Sequence, residues 1–122
     1  MVVSLPCPDT GLRRQAWVAL GSPCSSVYVP VLLDLGVPSV LSDRRHWARM
    51  AAIRDVVETE AEALEKVRAE FGPLESALWH EADELGGNEE LWRAFYADAD
   101  RKVIVALDRL WDAGIGIGAD AP

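Results

Sequence analysis

Few residues in this chain have the types and spacing that chemistry needs. The histidines are His46 and His80. The run Trp79-His80-Glu81-Ala82-Asp83-Glu84 begins like a zinc-peptidase helix, but Glu84 stands where the second imidazole is required. Two imidazoles four residues apart put two ligands on one helix face, and with one of them missing the metal site fails. His80 and Glu84 then read as an exposed helical pair. Asp43-x-x-His46 has the spacing of half a di-iron motif. Such a site also needs a second carboxylate–histidine helix and inward-facing glutamates, whereas the glutamates here read as facing water. No metal ligand is expected.

Cys24 lies in a turn of small residues beside Ser22, Ser25 and Ser26. A cysteine nucleophile needs a positioned base or a depressed pKa. No histidine is near in sequence, so a structural role is expected. Cys7 and Cys24 fit no CxxC redox or zinc spacing, and without a secretory signal they read as two reduced, partly buried thiols. The Gly-Ile-Gly-Ile-Gly run from Gly114 contains GxG, but it follows a helix and opens none, which excludes a dinucleotide loop. The residues alone assign no catalytic residue, no substrate-binding residue and no cofactor.

Composition narrows the class further. A length of 122 residues allows one domain with a modest core, and 50% apolar with 26% charged residues is a globular balance. A formal net charge of −8, with Lys and Arg scattered among carboxylates, argues against nucleic acid and against anionic membranes. No apolar run is long enough for a transmembrane helix. The N-terminus has no basic region, and Pro6 and Pro8 interrupt it, so no signal peptide is read and a cytoplasmic location is expected.

The elements that must position these side chains divide into a β-rich front (1–35) and a helical back (42–113), with 114–122 read as a frayed tail. The fold class is therefore α+β. Met1 to Leu5 and Arg14 to Leu20 read as strands that pair antiparallel across an Asp9-Thr10-Gly11 turn. Ser26 to Leu33 reads as a third strand, held short, at an edge or broken by Pro30, which lacks a ladder donor. Ser42 or Asp43 can cap a first helix over 43–71. Its apolar stripe is Trp47, Met50, Ile53, Val57, Ala61, Leu64, Val67 and Phe71. Gly72-Pro73 is expected to break it, starting a second helix over 73–85 with Leu74, Ala77, Leu78 and Leu85 on one side. Gly86-Gly87 ends that helix, and Asn88 can cap a third over 88–113. Its apolar face holds Leu91, Trp92, Phe95, Ala99, Val103, Ala106, Leu107 and Leu110.

The strand runs are apolar almost without interruption, the pattern of a sheet covered on both faces. Three short strands cannot supply that cover, so a second layer and neighbouring strands are expected from a partner, a homo-oligomer mate or further chain. Most of the five tryptophans read as core and interhelical contacts. Trp79 and Trp111 fall off the main stripes and read as facing the missing layer.

The stretch WVALGSPCSSVYVPV, from Trp17 to Val31, carries a resemblance. Trp17, Gly21, Pro23, Ser26, Val27, Tyr28 and Pro30 fit a W-x-x-x-G-x-P-x-x-S-V-aromatic-x-P pattern similar to one in the secernin-like cysteine dipeptidases. These belong to the N-terminal-nucleophile (Ntn) hydrolases. The specific part spans about fifteen residues, while the helices, with Trp47 and the Leu91-Trp92 pair, resemble the C-terminal helices of that family more loosely. The resemblance implies part of an Ntn αββα sandwich in a parent that cleaves the amide bonds of small peptides.

In that chemistry a chain-terminal Cys, Ser or Thr attacks while its own α-amine serves as the base. Met1-Val2-Val3 cannot play that part, and Cys7 and Cys24 do not occupy the family's nucleophile position. No catalytic residue carries over, although the turn from Ser22 to Ser26 can line a substrate cleft in a complete enzyme. The expectation is a single partial domain, 1–122: the C-terminal portion of a dipeptidase, inactive alone, completed by a missing N-terminal part. The alternative is a small non-catalytic α+β interaction or dimerisation module.

Overall fold

The computed structural model describes residues 2–4 and 14–115. It shows an α+β chain, mostly helical, with three strands ahead of the helices. The strands are β1 (Val2–Ser4), β2 (Gln15–Val18) and β3 (Val29–Leu32), in the order β1-β2-β3. Both pairings are antiparallel, with Val3 opposite Ala16 and Trp17 opposite Pro30. The expected pairing of the first two strands is therefore present, while its Asp9-Thr10-Gly11 turn lies outside the described residues.

All four residues of β3 are buried. Side chains alternate across a strand, so both faces of β3 are covered from within the chain itself. Its outer edge is managed too. The backbone N–H of Leu32 donates to the Tyr96 hydroxyl at 2.8 Å. Two residues earlier, on the same side of the strand, Pro30 has no N–H to offer. An edge without free donors resists strand addition. Inward-facing groups continue the ladder past the strand end, where the Leu33 N–H reaches the Arg14 carbonyl at 3.0 Å.

Four helices follow: α1 (Ser39–Ser42), α2 (Arg44–Thr59), α3 (Ala61–Asp83) and α4 (Glu89–Asp112). The expected caps form. The Asp43 carboxylate accepts the Arg45 N–H at 2.8 Å, and Asn88 Oδ1 accepts the Leu91 N–H at 3.2 Å. The break in the first long helical pattern is not at Gly72-Pro73, however, but at Glu60, whose φ of −128° and ψ of 109° are extended. Pro73 instead lies inside α3. It removes one helical donor, and the carbonyl so released belongs to Ala69, an exposed residue that can turn to water.

This shift of the break resets the apolar stripe. α3 buries Ala63, Val67, Phe71, Leu78 and Ala82, spaced by fours and by the seven from Phe71 to Leu78, with Leu74 partly buried between those two. Ala61, Leu64 and Ala77 face outward, as does Trp47 at 55% exposure, against the continuous stripe expected. On α4 the expected face is buried from Trp92 to Leu110, but Leu91 is 48% exposed.

The C-terminal end of α4 corrects the frayed-tail reading for its first residues. Gly114, at φ +89°, donates to the Trp111 carbonyl at 3.0 Å, and Ile115 donates to Leu110 at 2.9 Å. This is a Schellman motif, and Ile115 and Leu110 are both buried beside it. Residues 116–122 lie outside the described residues.

Two side chains of α4 lock the helices to the sheet and its exit. Tyr96 accepts from Leu32 and donates to the Gly36 carbonyl at 2.8 Å. Asp100 accepts the N–H groups of Ser39 and Val40 at 3.2 and 2.8 Å, satisfying two orphan donors at the start of α1. Between α3 and α4, Lys102 bridges Glu81 at 2.6 Å and Asp98 at 2.8 Å.

Candidate functional site

The resemblance-bearing segment folds as one unit: β2, a 3-10 turn at Pro23–Ser25, and β3. Gly21, at φ +76°, turns the chain out of β2 where an L side chain would be strained. Pro23 then opens the turn with a preset φ. Ser25 and Ser26 are buried, at 2% and 1% exposure. Arg68 of α3 donates to the Ser26 carbonyl at 2.8 Å, and the Ser26 hydroxyl lies 3.7 Å from Met50 Sδ. The turn is thus pinned inward. Its two serines pack against helices and do not line an open cleft.

The cleft lies beside the turn. Trp17 of β2, Tyr28 just before β3, and Glu75 and Trp79 of α3 line an open cleft of about 400 Å³ whose surface is almost entirely apolar. The Trp17 and Trp79 rings meet edge to face, with centroids 6.0 Å apart and planes at 66°. Trp79 is 45% exposed, so its outward part remains open to solvent. Glu75 contributes the one charged side chain of the lining. Its Oε2 accepts from Arg68 at 2.9 Å, and Arg68 itself is not part of the lining. One guanidinium therefore holds both the Ser26 turn and the cleft's carboxylate. The Trp17 Nε1 is buried and has no hydrogen-bond partner among the described residues.

The residues singled out for chemistry are scattered. Cys24 is a free cysteine and exposed, not partly buried as expected, because the turn directs its serines inward; Cys7 lies outside the described residues. His46 is buried on α2, with Nε2 4.0 Å from the Asp43 carboxylate and Nδ1 without a partner among the described residues. The Arg45 backbone N–H, and after it the Arg45 guanidinium, hold the Asp43 carboxyl below its ordinary value. His80 is exposed on α3, and no His80–Glu84 ion pair occurs among the described residues. No hydroxyl or thiol is hydrogen-bonded to either imidazole among those residues. They also contain no group of three His, Cys, Asp or Glu placed to hold a metal ion.

Trp111, half-buried at the end of α4, takes the Arg49 guanidinium over its ring at 5.7 Å. Glu75 and Arg68 were not singled out by sequence spacing, and Tyr28 only as the aromatic of the Trp17-to-Pro30 pattern. A signal for them existed in part: Glu75 and Trp79 are four apart, hence on one face of a helix. Nothing local said that this face meets Trp17.

No family model, curated protein or solved structure matches the chain. No helix among the described residues is long and apolar enough to cross a membrane.

Proposed function

We propose that this chain is the C-terminal portion of a dipeptidase similar to the secernins. It supplies scaffold and a cleft wall to an Ntn-type sandwich and no nucleophile of its own. The observation that carries the reading is the unity of the Trp17-to-Pro30 pattern. Its glycine, proline and serines make a pinned turn, and its two aromatics, Trp17 and Tyr28, emerge together on one cleft. Cys24 stands exposed on that turn with no base hydrogen-bonded to it among the described residues, which supports a reading in which it is not the nucleophile.

The remaining part of the enzyme adds at β1, whose outer edge has no strand beside it among the described residues. The β3 edge is closed by Pro30 and Tyr96. The reading is tested by supplying the chain with a Cys-led N-terminal segment and assaying dipeptide hydrolysis. Activity that needs both parts supports it. Turnover by the chain alone, lost on Cys24→Ser, overturns it.

A second reading, a non-catalytic α+β interaction module, is favoured by the exposed apolar side chains Trp47 and Leu91. It predicts a stable homodimer in analytical ultracentrifugation, and a monomer at all concentrations contradicts it.

A further inference from the structure

We propose that the cleft between β2 and α3 is a binding site for a small organic cation, of the quaternary or methylated ammonium class. The proposal stands on this geometry alone and holds whichever functional reading is correct.

Three aromatic residues and Glu75 form the lining, and its surface is almost entirely apolar. Aromatic faces carry negative potential, and an ammonium within about 6 Å of a ring centroid is attracted to it, most strongly to tryptophan. The edge-to-face contact of Trp17 with Trp79 makes two non-parallel walls, which suits a roughly spherical headgroup better than a flat ring. Tyr28 adds a third surface.

The Glu75 carboxylate is paired with Arg68 and adds little polar surface to the cleft, so the rings set the sign: their negative faces attract a cation and disfavour an anion. A methylated ammonium keeps its charge while presenting methyl groups to the rings, so it suits an aromatic wall with little polar surface. Arg68 does not compete for the cleft. Its guanidinium is held between Glu75 Oε2 and the Ser26 carbonyl, outside the lining, where it fixes the carboxylate's position. A net charge of −8 on the whole chain further favours the approach of cations.

The volume fits as well. A cleft of about 400 Å³ lies at the small end of ligand pockets and admits a headgroup of choline's size.

The test uses choline and its neutral carbon isostere, in which tert-butyl replaces trimethylammonium, against the full chain. Indole N–H resonances are followed by NMR and assigned by single substitution. The expected result is saturable movement of the Trp17 and Trp79 signals by choline, with the isostere about tenfold weaker. Trp79→Ala removes an exposed wall without opening the core and weakens choline by about tenfold; Glu75→Gln weakens it by about fivefold. Circular dichroism checks that each variant folds. Should Glu75→Gln unfold the chain, the isostere comparison and Trp79→Ala decide the matter. Equal binding of choline and isostere, binding unaffected by Trp79→Ala, or the absence of saturable movement at Trp17 and Trp79 each overturns the proposal.

Discussion

At the scale of single residues, Tyr96 is one side chain that joins the strands to the helices. Its hydroxyl takes the outward N–H of an edge strand and donates to Gly36 on the way to the helices. Tyr96→Phe leaves the Leu32 N–H buried and unpaired, so it is expected to cost about 1–3 kcal/mol in denaturant unfolding, with an unchanged slope. Burial also pushes the phenol above its ordinary value of 10.0, against the smaller opposing effect of the Leu32 hydrogen bond. The unfolded chain then releases this proton first as pH rises, so the folded state loses stability above about pH 10. Tyr96→Phe should flatten that alkaline loss relative to the parent. A steeper loss in the variant contradicts the assignment. None of this was legible in sequence, because the partners of Tyr96 are about sixty residues away in the chain.

At the scale of elements, the caps were legible and the helix break was not. Asp43 and Asn88 act locally, and their residue types suffice to place two helix starts. Gly72-Pro73 is an equally strong local signal, yet α3 runs through it, because Val67, Phe71 and Leu78 bury one continuous face. Tertiary packing outweighs the local cost. That cost remains stored in the helix, so Pro73→Ala at this exposed position is expected to raise stability by about 1–3 kcal/mol. A destabilised variant would show that α3 needs the proline's bend to follow the core.

The end of α4 gives the converse case. Gly114→Ala is expected to cost about 1 kcal/mol in thermal unfolding, through the positive φ and not through a clash. Apart from Gly114 and its two chain neighbours, no heavy atom of the described residues lies within 4 Å of where the new Cβ would stand. An unchanged midpoint would mean that the Schellman turn contributes nothing to stability.

At the scale of the whole molecule, the α+β class and the order of strands before helices followed from composition and periodicity. The nearly continuous apolar strands were read as needing cover from elsewhere. Along β3 the chain provides that cover itself, with Tyr96 on the strand's edge and all four residues buried. The cleft was out of reach of sequence reasoning for a related reason. Its walls come from β2, the segment before β3, and α3, and only the fold brings Trp17 to Trp79.

We have proposed that this chain frames a peptide-cleaving site and does not itself perform the cleavage. The most direct measurement is the initial rate of hydrolysis of a dipeptide set by the purified chain, beside its Cys24→Ser and His46→Ala variants. The account predicts rates equal to the buffer blank for all three proteins. Turnover above the blank that either substitution removes would contradict it.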